Sequence, residues 1–153
     1  MKRIDEFVVM GPMKKRLNGH TFDLKIGRSR TGLGLYTLAP IDKGACIVEY
    51  TGRRITQKEE YTSRSKYLFE VTRKKTIDGQ SRSNTARYIN HSCSPNCEVK
   101  YRKGRVFIFA RRRIKADEEL SYDYGKDYFD EWIKRKGCRC LKCEPFVVEL
   151  VLD

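Results

Sequence analysis

Three thiols, Cys138, Cys140 and Cys143, fall within six residues in the run Cys-Arg-Cys-Leu-Lys-Cys. They are too close together to pair sensibly with one another. Thiols clustered in this way, in a chain without a secretory signal, read as metal ligands before disulfides. Zinc takes four soft ligands in a tetrahedron, so the triplet is one ligand short and must borrow it from elsewhere. Cys93 or Cys97 supplies it; Cys46 stands alone.

Three further segments combine residue types that can do chemistry. In Arg30-Thr31-Gly32-Leu33-Gly34-Leu35-Tyr36, two glycines one residue apart let the backbone approach a ligand closely. The segment lacks the third glycine and the following helix of a dinucleotide fingerprint. In Arg87 to Cys97, the side chains of Asn90, His91, Ser92 and Asn96 bond readily to nearby backbone, and Pro95 removes a donor. That composition describes a tight irregular turn beside a metal ligand. In Glu119 to Gly125, Tyr122 and Tyr124 stand at i and i+2, so on an extended chain they point to the same side. They either line one channel with two hydroxyls or are a pair of half-buried strand tyrosines, and spacing alone favours the second. Ser121 is no triad nucleophile, because His20 and His91 are the only histidines and neither has a recognisable partner arrangement. HExxH, P-loop and EF-hand patterns are absent.

The elements that must position these groups are short and mostly strands. Residues 1–22 form a basic lead-in with turn signals at Gly11-Pro12 and Asn18-Gly19, and from Phe22 onward short strands are broken by glycine. Strands are predicted at Ala45–Tyr50, Tyr67–Thr72 and Thr76–Asp78. Thr56 and Glu59 make a capping box that starts a short helix running to about Ser63. Glu98 to Ala110 is a hairpin turning at Arg102-Lys103-Gly104, its second arm apolar on both faces as in a buried strand. Asp127 caps a helix through Tyr128, Phe129, Trp132 and Ile133 that stops at Gly137, with its aromatic stripe read as core contact.

At 153 residues the chain is about one domain, and its 39% hydrophobic content excludes disorder as the overall state. No stretch approaches the length of a membrane span, which points to an intracellular protein without membrane contact. The 33 Lys and Arg against 20 Asp and Glu give +13, a field that attracts polyanions. The charge is divided: from Lys100 to Lys115 lie eight bases and no acid, whereas seven acids and one base follow between Asp117 and Glu131.

In order and residue type, these segments resemble the SET-domain protein lysine methyltransferases with a post-SET zinc tail. The resemblance runs from about Asp23 to Pro145. It rests on Gly32-Leu-Gly34, Glu49-Tyr50-Thr-Gly52, Tyr67-Leu-Phe69, Ile77-Asp78, Arg87-Tyr-Ile-Asn90-His91-Ser92-Cys93, Pro95-Asn96-Cys97, Glu119-Leu-Ser-Tyr122-Asp-Tyr124 and the cysteine triplet. It implies a mostly β SET fold of short sheets around a pseudoknot, with the domain at 23–126, a connecting helix and zinc segment at 127–146 and a tail at 147–153. It implies that Thr31, Gly32, Leu33 and Gly34, with Tyr67, Asn90 and His91, hold S-adenosylmethionine. Tyr124 matches the catalytic tyrosine and Tyr122 the methylation-state switch, where a tyrosine implies mainly monomethylation. Cys93 then completes one structural zinc site with Cys138, Cys140 and Cys143.

The implied substrate is a lysine of a histone or other basic protein, received by the acidic segment while the basic hairpin contacts nucleosomal DNA or another nucleic acid. The implied location is nuclear and chromatin-bound in a eukaryote, cytoplasmic or exported as an effector in a bacterium. The class to weigh against the enzyme is a zinc-stabilised chromatin or nucleic-acid module without catalysis. The chain departs from the common pattern in three places. The triplet is spaced Cys-x-Cys-x2-Cys rather than with four residues before the last cysteine. Arg53 replaces an acid, and no cysteine-rich segment precedes the domain, which suits either a minimal stand-alone enzyme or a fragment. Phe146 either stacks on the adenine or packs the terminus.

Overall fold

A computed structural model describes residues 22–144; the lead-in with its turn signals, His20, Phe146 and the tail lie outside the described residues. Four small sheets share one core. The strands β1 (Leu24–Ser29) and β2 (Gly32–Thr37) form an antiparallel hairpin. A second sheet has the order β3-β9-β8, from Cys46–Tyr50, Arg105–Ala110 and Cys97–Arg102. A third has the order β4-β6-β5, from Arg53–Ile55, Lys75–Asp78 and Leu68–Thr72. The fourth is a two-residue parallel pair, β7 (Asn90–His91) with β10 (Ser121–Tyr122).

The predicted hairpin stands. Its turn places Lys103 and Gly104 at φ 49° and 73°, the two left-handed residues that a tight hairpin matching strand twist requires. Strand β9 is apolar on both faces because it is the central strand, and Val106, Phe107 and Ile108 are all buried. Leu35 of β2 and Ile108 of β9 are wholly buried together with Ile41, Ile114 and Leu120 of the adjoining loops, all in one cluster. The capping box also forms: Thr56 Oγ1 accepts from Glu59 N at 3.3 Å, and Glu59 Oε2 accepts from Thr56 N at 2.8 Å, opening α1 (Gln57–Thr62). The Thr56 backbone N–H, then Arg53, pulls the Glu59 carboxyl down to about 2.

The C-terminal helix differs from the sequence expectation in two respects. Its cap is Gly125, at φ 89°, rather than Asp127; the turn before it is closed by Asp123, whose carboxylate accepts from Gly125 N at 2.9 Å. The helix α2 (Lys126–Tyr128) continues as a wider π-turn over Phe129–Ile133, and the chain turns off at Gly137, φ 80°. Neither part has a buried residue, so the aromatic stripe is not core. A three-residue helix joined to a π-turn presents too little continuous face to the sheets; its rings turn toward a cleft instead.

Candidate active site

The parallel pair is where two distant segments cross. Ser121 pairs with Asn90 and Tyr122 with His91, and the crossing is fastened by Asn96, which is buried. Its Oδ1 accepts from Ser121 N at 2.9 Å, and its Nδ2 donates to the Glu119 carbonyl at 2.8 Å. Asn90 is the second fastening point: its Nδ2 lies 2.8 Å from the Leu33 carbonyl, 2.8 Å from Glu119 Oε1 and 3.0 Å from Ser29 Oγ. Two N–H bonds serve three acceptors there, so at least one is shared. The β1–β2 turn is thereby held against the crossing.

Gly32 and Gly34 do different work. Gly32 turns the chain at φ 119° with open space where a side chain would stand, whereas a Cβ on Gly34 would lie 2.4 Å from Glu119 Oε1. Thr31, Gly32 and Leu33 line a cleft of about 720 Å³ together with Tyr67, Asn90, His91 and Tyr124. Gly34 does not line it; it makes room for Glu119. Glu119 is a residue to which the sequence assigned no role, and the only sign of it was an acid beside the Tyr-x-Tyr segment.

Tyr122 and Tyr124 do face one way, with ring centroids 4.8 Å apart. Both line a narrow cavity of about 50 Å³ whose other walls include Tyr50, Phe69 and Tyr128. The pair thus faces a common cavity, with Tyr122 itself buried. The narrow cavity and the cleft share Lys66, Tyr67, Arg87, Tyr124 and Tyr128. Tyr128, Trp132 and Ile133, assigned to the core from sequence, line the cleft. The Tyr124 hydroxyl donates to the Ile89 carbonyl and the Tyr50 hydroxyl to the Tyr67 carbonyl, the latter at 2.9 Å. Burial, then neighbouring tyrosines, pushes the Tyr122 and Tyr124 phenols well above their usual range. Both stay neutral and able to donate.

His91 ties this pair to the cysteines. Its Nδ1 accepts from Tyr124 N at 3.2 Å and its Nε2 faces Cys93 Sγ at 3.4 Å. Burial lowers its pKa against the opposing pull of Asp123, and the backbone donor at Nδ1 leaves Nε2 as the ring position that carries a proton. Cys93, Cys138, Cys140 and Cys143 bring their sulfurs within 4.8 Å of one another, and those of Cys138 and Cys143 lie 3.8 and 3.7 Å from Cys93. A tetrahedral site with metal–sulfur bonds of about 2.3 Å has edges of about 3.8 Å, so the four thiols suit such an ion. Cys97 takes no part: it is buried, and its thiol faces Asn96 Oδ1 at 3.3 Å. Arg30 reaches from the β1–β2 turn to the Glu144 carbonyl and pins the far end of the cysteine segment.

Part of the acidic segment is ion-paired. Asp117 pairs with Lys25, Glu118 with Arg112, and Asp130 with Lys126 at 2.7 Å. The hairpin is partly neutralised as well, since Arg105 makes a paired contact with Glu49 and Arg113 reaches Asp42 at 2.9 Å. Of these pairs, Arg105–Glu49 joins the neighbouring strands β9 and β3, and Lys126–Asp130 lies within the C-terminal helix.

Comparison with known proteins follows the same residues. The SET-domain family profile matches residues 32–125. The chain is 40% identical over 112 residues to the histone-lysine N-methyltransferase trr of Drosophila melanogaster, covering 65% of this chain and 5% of that protein. It is 38% identical over 150 residues to the histone-lysine N-methyltransferase trithorax of Drosophila virilis, covering 88% and 4%. It is also 38% identical over 120 residues to the H3 lysine-4 specific histone-lysine N-methyltransferase of Eremothecium gossypii, covering 70% and 12%. The chain thus spans a small fraction of the length of these relatives.

Proposed function

This chain belongs to the SET-domain family, and from that premise we propose that it is a protein-lysine N-methyltransferase using S-adenosylmethionine. The observation that carries the proposal is the pair of joined cavities, one wide and one narrow, meeting at Tyr67, Tyr124 and Tyr128. A cleft of about 720 Å³ lies within the range of small-molecule sites. The open space at Gly32 and the Leu33 carbonyl fixed by Asn90 suit a ligand that meets backbone. Thr31, Gly32, Leu33, Tyr67, Asn90 and His91 would hold the cofactor, with Gly34 acting at one remove through Glu119. When bound, S-adenosylmethionine supplies a sulfonium methyl group whose C–S bond breaks as the new N–C bond forms.

The chain's own residues align and desolvate. Lysine attacks as the neutral amine, and deprotonating a free lysine at pH 7.4 costs about 4 kcal/mol. Aromatic walls around the narrow cavity disfavour the ammonium ion and reduce that cost. The hydroxyl of Tyr124, anchored on the Ile89 carbonyl, orients the amine where the cavities meet. Tyr122 keeps a second hydroxyl in the narrow cavity and leaves little room for a bulkier amine, which favours monomethylation. Tyr122→Phe should raise the di- and trimethyl products measured by mass spectrometry; an unchanged ratio argues against this role.

Cys93, Cys138, Cys140 and Cys143 would hold one structural zinc ion. The domain of 23–126 and, among the described residues, Tyr128 to Cys140 of the following zinc segment then supply the two walls of the cleft. The substrate class we propose is histone or another basic protein, in the nucleus if the source is eukaryotic. Exposed Arg102, Lys103, Arg111 and Lys115 make nucleosomal DNA a further contact of the hairpin. Activity on nucleosomes should fall more steeply with salt than activity on free peptide, and equal slopes would remove that contact. The main test is transfer of labelled methyl to histones, nucleosomes and lysate proteins. Cofactor binding without incorporation into any of them would favour the non-catalytic module.

A further inference from the structure

Arg87 occupies the junction of the two cavities and the mechanism above gives it no task. Its guanidinium lies over the Tyr67 ring at 4.3 Å and the Tyr88 ring at 5.2 Å. It lines both the cleft and the narrow cavity. Among the described residues its Nε is the one buried side-chain nitrogen or oxygen without a hydrogen-bond partner. Among the described residues, no Asp or Glu lines either cavity. The guanidinium of Arg87 thus brings a cation to the wall that the narrow cavity shares with the cleft, with no carboxylate among the described lining residues.

We propose that Arg87 sets the protonation state of the substrate lysine: its charge disfavours the ammonium form, so the lysine gives its proton to solvent and binds as the free amine. This rests on the lysine methyltransferase reading. The groups that face the junction are Tyr50 from β3, Lys66 and Tyr67 ahead of β5, Tyr88, Tyr122 and Tyr124 at β10, and Tyr128 from α2. Asp78, Glu119 and Glu131 lie behind these walls, near enough to act on Tyr50, Tyr124 and Tyr128. Asp78 already accepts from the Ser65 hydroxyl at 2.9 Å, and Glu119 from Asn90 at 2.8 Å. Lys66 adds a second, exposed like charge. Burial pushes up the phenols of Tyr50, Tyr122, Tyr124 and Tyr128, which separates them from a lysine titrating below its free value.

The test is the pH dependence of kcat, with peptide and cofactor saturating, between about pH 7 and 10.5. Arg87→Gln should move the midpoint up by about one unit, lowering kcat about tenfold at pH 7.5 and closing the gap toward pH 10.5. Arg87→Lys should keep the wild-type midpoint. A uniform loss at every pH, or an equal shift in Arg87→Lys, overturns the proposal in favour of a packing role. A second measurement needs no variant: calorimetric proton release on binding a lysine peptide at pH 9.5 with S-adenosylhomocysteine, which carries no sulfonium charge. About a third of a proton or more should leave per peptide, against none for the norleucine peptide; no release overturns the proposal. Proton release without methyl transfer under any condition would instead overturn the enzyme reading alone.

Discussion

The two walls of the cleft are built on opposite principles. One is the crossing of β7 and β10, which stands on wholly or nearly wholly buried Ile89, Leu120 and Tyr122 and on side-chain bonds from Asn90 and Asn96. The other is the segment from Lys126 to Glu144, whose helix has no buried residue and which is secured by four thiols and the Arg30 contact. A wall made of core cannot move without unfolding. A wall secured by four thiols, which the proposed zinc ion would hold, can be released while the core remains. The comparison therefore separates activity from stability in a way that experiments can exploit.

The largest effect should come from the residue where the walls meet. Tyr124 bonds to Ile89 on the crossing and packs edge-to-face against Tyr128 of the helix with centroids 4.9 Å apart. Tyr124→Phe should lower kcat about 1,000-fold while thermal unfolding is little changed. Near-wild-type turnover with intact cofactor binding would refute its role. Leu120→Ala should cost about 2–5 kcal/mol of stability in urea titrations, because a wholly buried side chain leaves a cavity under the crossing. Metal removal by a strong chelator, or Cys138→Ser, should cut methyl transfer about 100-fold yet leave the strand signal in circular dichroism and the urea midpoint nearly unchanged. Loss of both together would erase the distinction between the walls.

Glu119→Gln should raise the cofactor KM about tenfold with kcat largely retained, since the carboxylate that accepts from Asn90 is replaced by an amide. The smallest effect is a control remote from both walls: Thr56→Ala removes the cap of α1 and should cost about 1 kcal/mol without altering KM.

What was legible in the sequence was local. The hairpin of β8 and β9 declared itself through the turn at Lys103-Gly104 and the apolar second arm, and α1 through Thr56 and Glu59, because turn and capping chemistry act over three or four residues. The family likeness was legible because motif residues keep their order along the chain. The two-residue strands β7 and β10 were not, since two residues carry no periodicity and their pairing spans 31 positions. Asp127 and Gly125 both satisfy helix-start preferences, and only the left-handed turn at Gly125 decided between them. The aromatic stripe of Tyr128 and Trp132 has the same spacing whether it meets a core or a cleft.

The sequence by itself determined the chemistry available: four candidate metal thiols with one alternative, two tyrosines on one side of a strand, a close-approach turn and a basic overall charge. Tertiary structure decided which of these groups meet. It brought Cys93 rather than Cys97 to the triplet, turned Tyr122 and Tyr124 onto one cavity, paired part of the acidic segment with bases and set Arg87 on the wall that two cavities share. The reason is physical: residue type and local spacing set what a side chain can do, whereas burial and charge compensation depend on neighbours that only long-range packing brings within bonding distance.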